Sequence, residues 1–100
     1  MHGREFEFEW DEAKAVANAR KHGLSFDIAR TIFNDPFLLT IADLEHSETE
    51  ERWFSIGRAA NGLLLSVAYL WSEADVATKI RIISARKATQ TEIRQYEESA

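Results

Sequence analysis

The sequence contains no cysteine, which removes a disulfide framework, a thiolate nucleophile and a cysteine-based zinc site, and suits a reducing compartment. One proline and four glycines are too few for a low-complexity or disordered chain. Long apolar runs are lacking too: the longest, Leu63 to Trp71, falls far short of a membrane span. The opening stretch MHGREFEFEWDEAK is charged and has no apolar segment of the kind a secretory leader carries, so a soluble, cytoplasmic protein without membrane contact is expected. His2, His22 and His46 stand in no metal-binding spacing, no glycine-rich loop could cradle a phosphate, and the serines fit no triad signature. Neither a metal nor another cofactor is therefore expected, and nucleotide hydrolysis and acyl transfer are set aside.

What the chain does have is apolar mass. Its 100 residues are 45% apolar and 11% aromatic, with Trp10, Trp53 and Trp71 among them, enough for one domain over residues 1–100 built on a single two-layer core. The net charge is −5 and the isoelectric point about 5.1, which argues against nucleic-acid binding by bulk attraction. A phosphate-binding surface has to be local. Acids crowd Glu5 to Glu12 and Asp43 to Glu51, whereas Val76 to Gln90 holds Lys79, Arg81, Arg86 and Lys87 and no acid.

Glu5 to Trp10 alternates strictly, the period of a strand with one buried face. Asp11 caps an alanine-rich helix through His22, stopped by Gly23, and Arg20 and Lys21 suit its negative end. Ser25 caps a second helix with Phe26, Ala29, Ile32 and Phe33 on one face, ending at Asn34-Asp35-Pro36. A strand is expected over Phe37 to Ala42 and a polar loop over Asp43 to Glu50. Arg52 to Ile56 and Leu63 to Trp71 then flank Asn61-Gly62, a pair that takes the positive φ angles of a tight hairpin. Leu63 to Trp71 is nearly all apolar, as a central strand covered on both faces would be. A last strand, Val76 to Ser84, follows the turn Ser72 to Asp75. In the final helix Thr89 and Glu92 form a capping box. The order β-α-α-β-β-β-β-α favours an α+β fold, in which an antiparallel sheet of four to five strands carries an N-terminal αα-hairpin and a C-terminal helix.

Three segments together resemble the BrnT family of toxins from type II toxin-antitoxin pairs. The first runs from Phe8-Glu9-Trp10-Asp11-Glu12-Ala13-Lys14 through Asn18 to Lys21-His22-Gly23-Leu24-Ser25-Phe26. The second is His46-Ser47 with Glu51-Arg52 and Ile56-Gly57-Arg58. The third is Ile80 to Thr89, continuing to Glu92 and Tyr96. The resemblance implies a RelE-like fold and metal-independent RNA cleavage that halts growth. It also implies neutralisation by a BrnA-like antitoxin, a ribbon-helix-helix protein that supplies the DNA contact.

Such cleavage needs a base, an acid and cations for the phosphorane charge that develops when the 2′-hydroxyl attacks. Arg81 and Arg86, from the last strand and the turn after it, offer planar forks for phosphate, with Lys79 and Lys87 as point charges. Arg52 and Arg58 fall on one face of their strand, a face Lys79 and Arg81 can share. The plainer reading of these cations is a solvated face paired with the acidic loop. For proton transfer the candidates are His22, with Lys21 as a phosphate ligand beside it, His46 in the acidic loop, and Glu51. Each has a plain counterpart: a helix-ending cation, an exposed loop histidine, half of a surface ion pair. Trp53, opposite in phase to Phe54 and Ile56, is expected to be exposed and able to stack on a base or meet the antitoxin. Two alternatives keep the same surface, a non-catalytic binding module and a degenerate toxin within a DNA-binding repressor complex.

Overall fold

In the computed structural model, residues 5–46, 51–73 and 76–100 are described. The alternating N-terminal segment is strand β1 (Glu5–Glu9). Helix α1 (Glu12–His22) starts where the Asp11 carboxylate accepts from the Lys14 N–H, and stops at Gly23, whose φ of 70° is the left-handed conformation that glycine adopts without strain. Ser25 caps α2 (Phe26–Ala29), which tightens into a 3₁₀ turn over Arg30–Asn34 before Pro36. The strands β2 (Leu39–Ala42), β3 (Arg52–Arg58), β4 (Leu64–Glu73) and β5 (Ala77–Lys87) follow, then helix α3 (Gln90–Ser99) with both halves of the Thr89/Glu92 capping box formed.

The five strands make one mixed sheet in the order β1-β5-β4-β3-β2. Three neighbouring pairs are antiparallel, and β1 joins the far side of β5 in parallel. β4 is central, as its apolar run suggests, but only one of its faces is layered by helices. Leu65, Val67 and Tyr69 there meet Ile80, Ile82 and Ala85 of β5 beneath Leu24, Phe26, Ala29 and Ile32. Its other face carries buried Ser66 and half-buried Ala68 and Leu70. The hairpin between β3 and β4 also departs from the tight form expected of Asn61-Gly62: Gly62 has φ 88°, while no non-glycine residue among those described has a positive φ. Ala59 therefore leads a wider turn in which Gly62 N–H donates to its carbonyl, and Ala59 N–H donates to Leu63 O.

Two tight contacts join the layers. The 3₁₀ turn lies so close to β3 that a Cβ on Gly57 would come within 2.7 Å of Leu38 Cδ1 and 3.0 Å of Ile32 Cβ. Asn18, buried in α1, replaces a strand. β1 pairs with β5 only as far as Glu9 and Arg81, and beyond that point the Asn18 amide serves β5 as a neighbouring backbone would. It donates to Ala85 O at 2.9 Å and accepts from Ala85 N–H at 3.0 Å, while also donating to Leu24 O at 3.2 Å. Helix α3 packs on β3 at the Arg86 end of the sheet, where Ile56 and Tyr96 are buried outside the main core.

Asn18→Ala leaves buried backbone groups of Ala85 and Leu24 without their partner and is expected to cost about 2–4 kcal/mol in urea unfolding. Asn18→Asp, which keeps the size but cannot donate to either carbonyl, should be at least as damaging. An Asn18→Ala variant within about 0.5 kcal/mol of wild type would contradict this role.

Candidate nucleic-acid interface

Arg81 and Arg86 are an odd number of residues apart, so strict alternation along a strand would send them to opposite faces. A β-bulge reconciles them. Ala68 of β4 pairs with Ser84 and its neighbour Tyr69 with Ile82, leaving Ile83 without a partner. β5 thus gains one residue, and the alternation is reset. Arg86 is part of this strand, which runs to Lys87, and not of a turn after Ser84.

The face opposite the helical core consequently carries cross-strand rows. Arg52, Leu70, Arg81 and Glu9 form one; Phe54, Ala68 and Ser84 the next; Ile56, Ser66 and Arg86 a third. Ser72, Lys79 and Glu7 make an outer row. Between them lies a groove of about 230 Å³ lined by Arg52, Phe54, Ser66, Ala68, Ser84 and Arg86. Small residues on β4 and β5 form its floor and arginines stand at its two ends, a shape and polarity that suit a phosphodiester.

Each of these arginines is met by an acid from a flanking element. Arg81 Nη1 lies 3.2 Å from Glu9, both side chains being nearly half exposed. Arg52 Nε stands 3.2 Å from Asp43, just after β2. Arg86 is held most firmly, with Nη1 and Nη2 donating to the two Glu92 carboxylate oxygens at 2.8 and 2.9 Å. The same Glu92 accepts from Thr89 N–H. The Arg86 hydrogen bonds, opposed by burial and aided by Thr89, hold the Glu92 carboxyl below its ordinary value, and Glu92 in turn raises the Arg86 guanidinium. Exposed pairs such as Arg81–Glu9 contribute little to stability; the part-buried Arg86–Glu92 fork fixes a geometry.

Of the remaining sequence candidates, Arg58 shares the open-face parity but lies at the end of β3, its Nη1 donating to Gly62 O. Lys79 is exposed on the open face, and exposed Lys87 pairs with Leu65 on the opposite one. Trp53 is not exposed as expected. It pairs with Tyr69 on the core side, packs half-buried against the core, and donates to Glu51 at 3.3 Å. Trp53 faces the helical layer, and Phe54 faces the groove. His22 and Lys21 end α1 and do not line the groove. His46 closes a 3₁₀ turn three residues after Asp43; its side chain, like His2 and residues 47–50 of the acidic loop, lies outside the described residues. Among the described residues no three metal-ligating side chains gather to hold an ion.

A family model for the ribonuclease toxin BrnT of type II toxin-antitoxin systems matches residues 10–92. The chain belongs to the BrnT family. It is thereby a ribonuclease toxin of a type II system, which implies a protein antitoxin and an RNA target. The crystal structure of the Brucella abortus ribonuclease toxin BrnT has the same fold. It superposes with a TM-score of 0.60 over 86% of this chain and 99% of that one, at 22% identity. No curated protein matches the chain. Among the described residues of this BrnT-family toxin, no helix is long and apolar enough to cross a membrane.

Three residues carry roles that were not legible beforehand. Asn18 had only its place in the first familiar segment, Glu92 only its capping-box spacing. Asp35 accepts from the Tyr96 hydroxyl at 2.6 Å and the Arg58 N–H at 2.8 Å, tying α3 to β3. Burial alone would raise its pKa, but the bonds from Tyr96, Arg58 and Phe37 and the Arg58 charge together lower it. Both α3 anchors are therefore carboxylates with depressed folded-state values. Their contribution is fully present above the ordinary values of 4.5 for Glu92 and 3.8 for Asp35, and is lost as pH falls through the lower folded ones. The melting temperature should accordingly fall on acidification below about pH 4.5, and a Glu92→Gln, Asp35→Asn double variant should start lower and show a flatter decline. An unchanged slope in that variant would place the acid-labile groups elsewhere.

Proposed function

We propose that this BrnT-family toxin is a metal-independent endoribonuclease whose substrate lies across the open face of the sheet. One observation carries the reading: the bulge at Ile83 brings Arg86 onto the same face as Arg81 and Arg52, where Arg52, Ser66, Ser84 and Arg86 line a groove of about 230 Å³ and Arg81 stands in the row of Arg52 beside it. The substrate 2′-hydroxyl attacks the adjacent phosphorus, the P–O5′ bond breaks, and a 2′,3′-cyclic phosphate and a 5′-hydroxyl result. Arginine forks at the two ends of the groove stabilise the charge that builds on the phosphoryl oxygens. Lys79 adds point charge from the outer row.

One proton-transfer candidate follows the Arg52 end of the groove: the 3₁₀ turn ending in His46 comes just after Asp43, the acid paired with Arg52. Glu51 precedes Arg52 but accepts from Trp53, which faces the helical side of the sheet, away from the groove. His22, in α1, serves the helix terminus. The partner that neutralises the toxin is a BrnA-like ribbon-helix-helix protein, which also provides the DNA contact, and the setting is the cytoplasm. The carboxylate pairing of every groove arginine favours a second reading, a binding module or degenerate toxin inside a repressor complex, which predicts tight complex formation without RNA cleavage.

Purified protein is expected to cleave RNA in EDTA and to spare a substrate with 2′-deoxy substitution at the cleavage site. Arg81→Ala and Arg86→Ala should each slow cleavage by about 10²–10³-fold. His46→Ala should remove one limb of the pH–rate profile, with Glu51→Gln and His22→Ala close to wild type. RNA left intact in EDTA, together with full toxicity of both arginine variants in cells, would sink the proposal.

A further inference from the structure

Resting on the reading of Arg86 as a phosphate ligand, we propose that Glu92 is a positioning residue for RNA cleavage, which turns one edge of the Arg86 guanidinium toward substrate. A guanidinium has five N–H donors, and three are committed here. Nη1 donates to Glu92 Oε1 at 2.8 Å and to Lys87 O at 3.3 Å, and Nη2 donates once, to Glu92 Oε2 at 2.9 Å. What remains is Nε–H and the second Nη2 proton. Together they make one intact bidentate edge, without a partner among the described residues, on a side chain that lines the groove.

Glu92 is itself immobilised. Its side chain is 13% exposed against 42% for Arg86, and its Oε1 also accepts from Thr89 N–H at the start of α3. The flexible member of the pair is thus oriented by the fixed one, and the Lys87 carbonyl restrains the guanidinium further. An arginine held in this way meets phosphate without first losing the rotamer freedom of a long side chain.

The capping box separates this role from a structural one. Glutamine also serves at this capping-box position, so Glu92→Gln keeps an Oε1 for Thr89 N–H and Arg86 Nη1. It places an NH₂ where Nη2 needs an acceptor. Thr89→Ala does the converse, removing a cap contact and leaving the fork. The expected result is that Glu92→Gln lowers kcat for RNA cleavage about tenfold or more with a smaller effect on KM. Thr89→Ala should lower the melting temperature while cleaving at the wild-type rate at 25 °C. In an Arg86→Ala background, Glu92→Gln should add nothing to the loss, since its effect passes through Arg86. Equal losses from Glu92→Gln in the presence and absence of Arg86, wild-type kcat in Glu92→Gln, or a gain in kcat from unmasking Arg86 would each overturn the positioning role and leave the RNA-cleavage reading intact. A wild-type protein that does not cut RNA would remove both, and an Arg86→Ala variant that cuts normally would remove the phosphate-ligand reading of Arg86 and the positioning role with it.

Discussion

A strand shows alternate residues to alternate faces, and β5 has to satisfy that rule for two clients. One face must supply Ile80, Ile82 and Ala85 to the helical core; the other must present Arg81 and Arg86 together. No uninterrupted alternation does both. The extra residue at Ile83 resolves the conflict, and the rest of the molecule is arranged around the strand that results. β4 supplies small side chains opposite the bulge, β1 gives out where the bend begins, and the Asn18 amide takes over the exposed strand edge beyond it. A bulge otherwise leaves backbone groups unpaired, so the helix edge, the sheet and the groove form one linked arrangement.

Much of the fold was legible because it is written in local chemistry. Asp11, Gly23, Ser25, Thr89 and Glu92 each act on backbone groups within a few residues, and each occupies the helix-end position its residue type implies. The apolar density of Leu63 to Trp71 placed β4 at the centre. Non-local features were not legible. The parallel pairing of β1 with β5 depends on a partner distant in sequence, and the left-handed geometry of Gly62 alone, without Asn61, depends on how wide the turn must be. The face of Trp53 is not legible either, because a short strand with aromatic residues in both phases does not reveal which side is covered; the layer formed by Phe26, Ile32 and their neighbours decides it.

The candidate site was legible by residue type and only partly by position. An acid-free stretch in an acidic chain pointed to Lys79, Arg81, Arg86 and Lys87, and alternation linked Arg52 to Arg81. It could not show that Arg86 returns to their face, because a bulge has no compositional mark in Arg81 to Lys87, nor that Lys87 leaves it. The serines of the groove, Ser66 and Ser84, carry no signal of their own; they matter as small side chains between two arginines.

Net charge and local recognition are often treated as a single property, yet here they diverge. Glu9, Asp43 and Glu92 stand beside the arginines of the open face, so that, seen from a distance, the groove is close to neutral. Duplex DNA and the many other polyanions of a cell would find little to draw them in. With Arg86 as the phosphate ligand we propose, selectivity would come at close range, from whether a backbone bends so that its phosphate reaches the unused guanidinium edge. Such a surface would discriminate by shape among ligands that all carry the same charge.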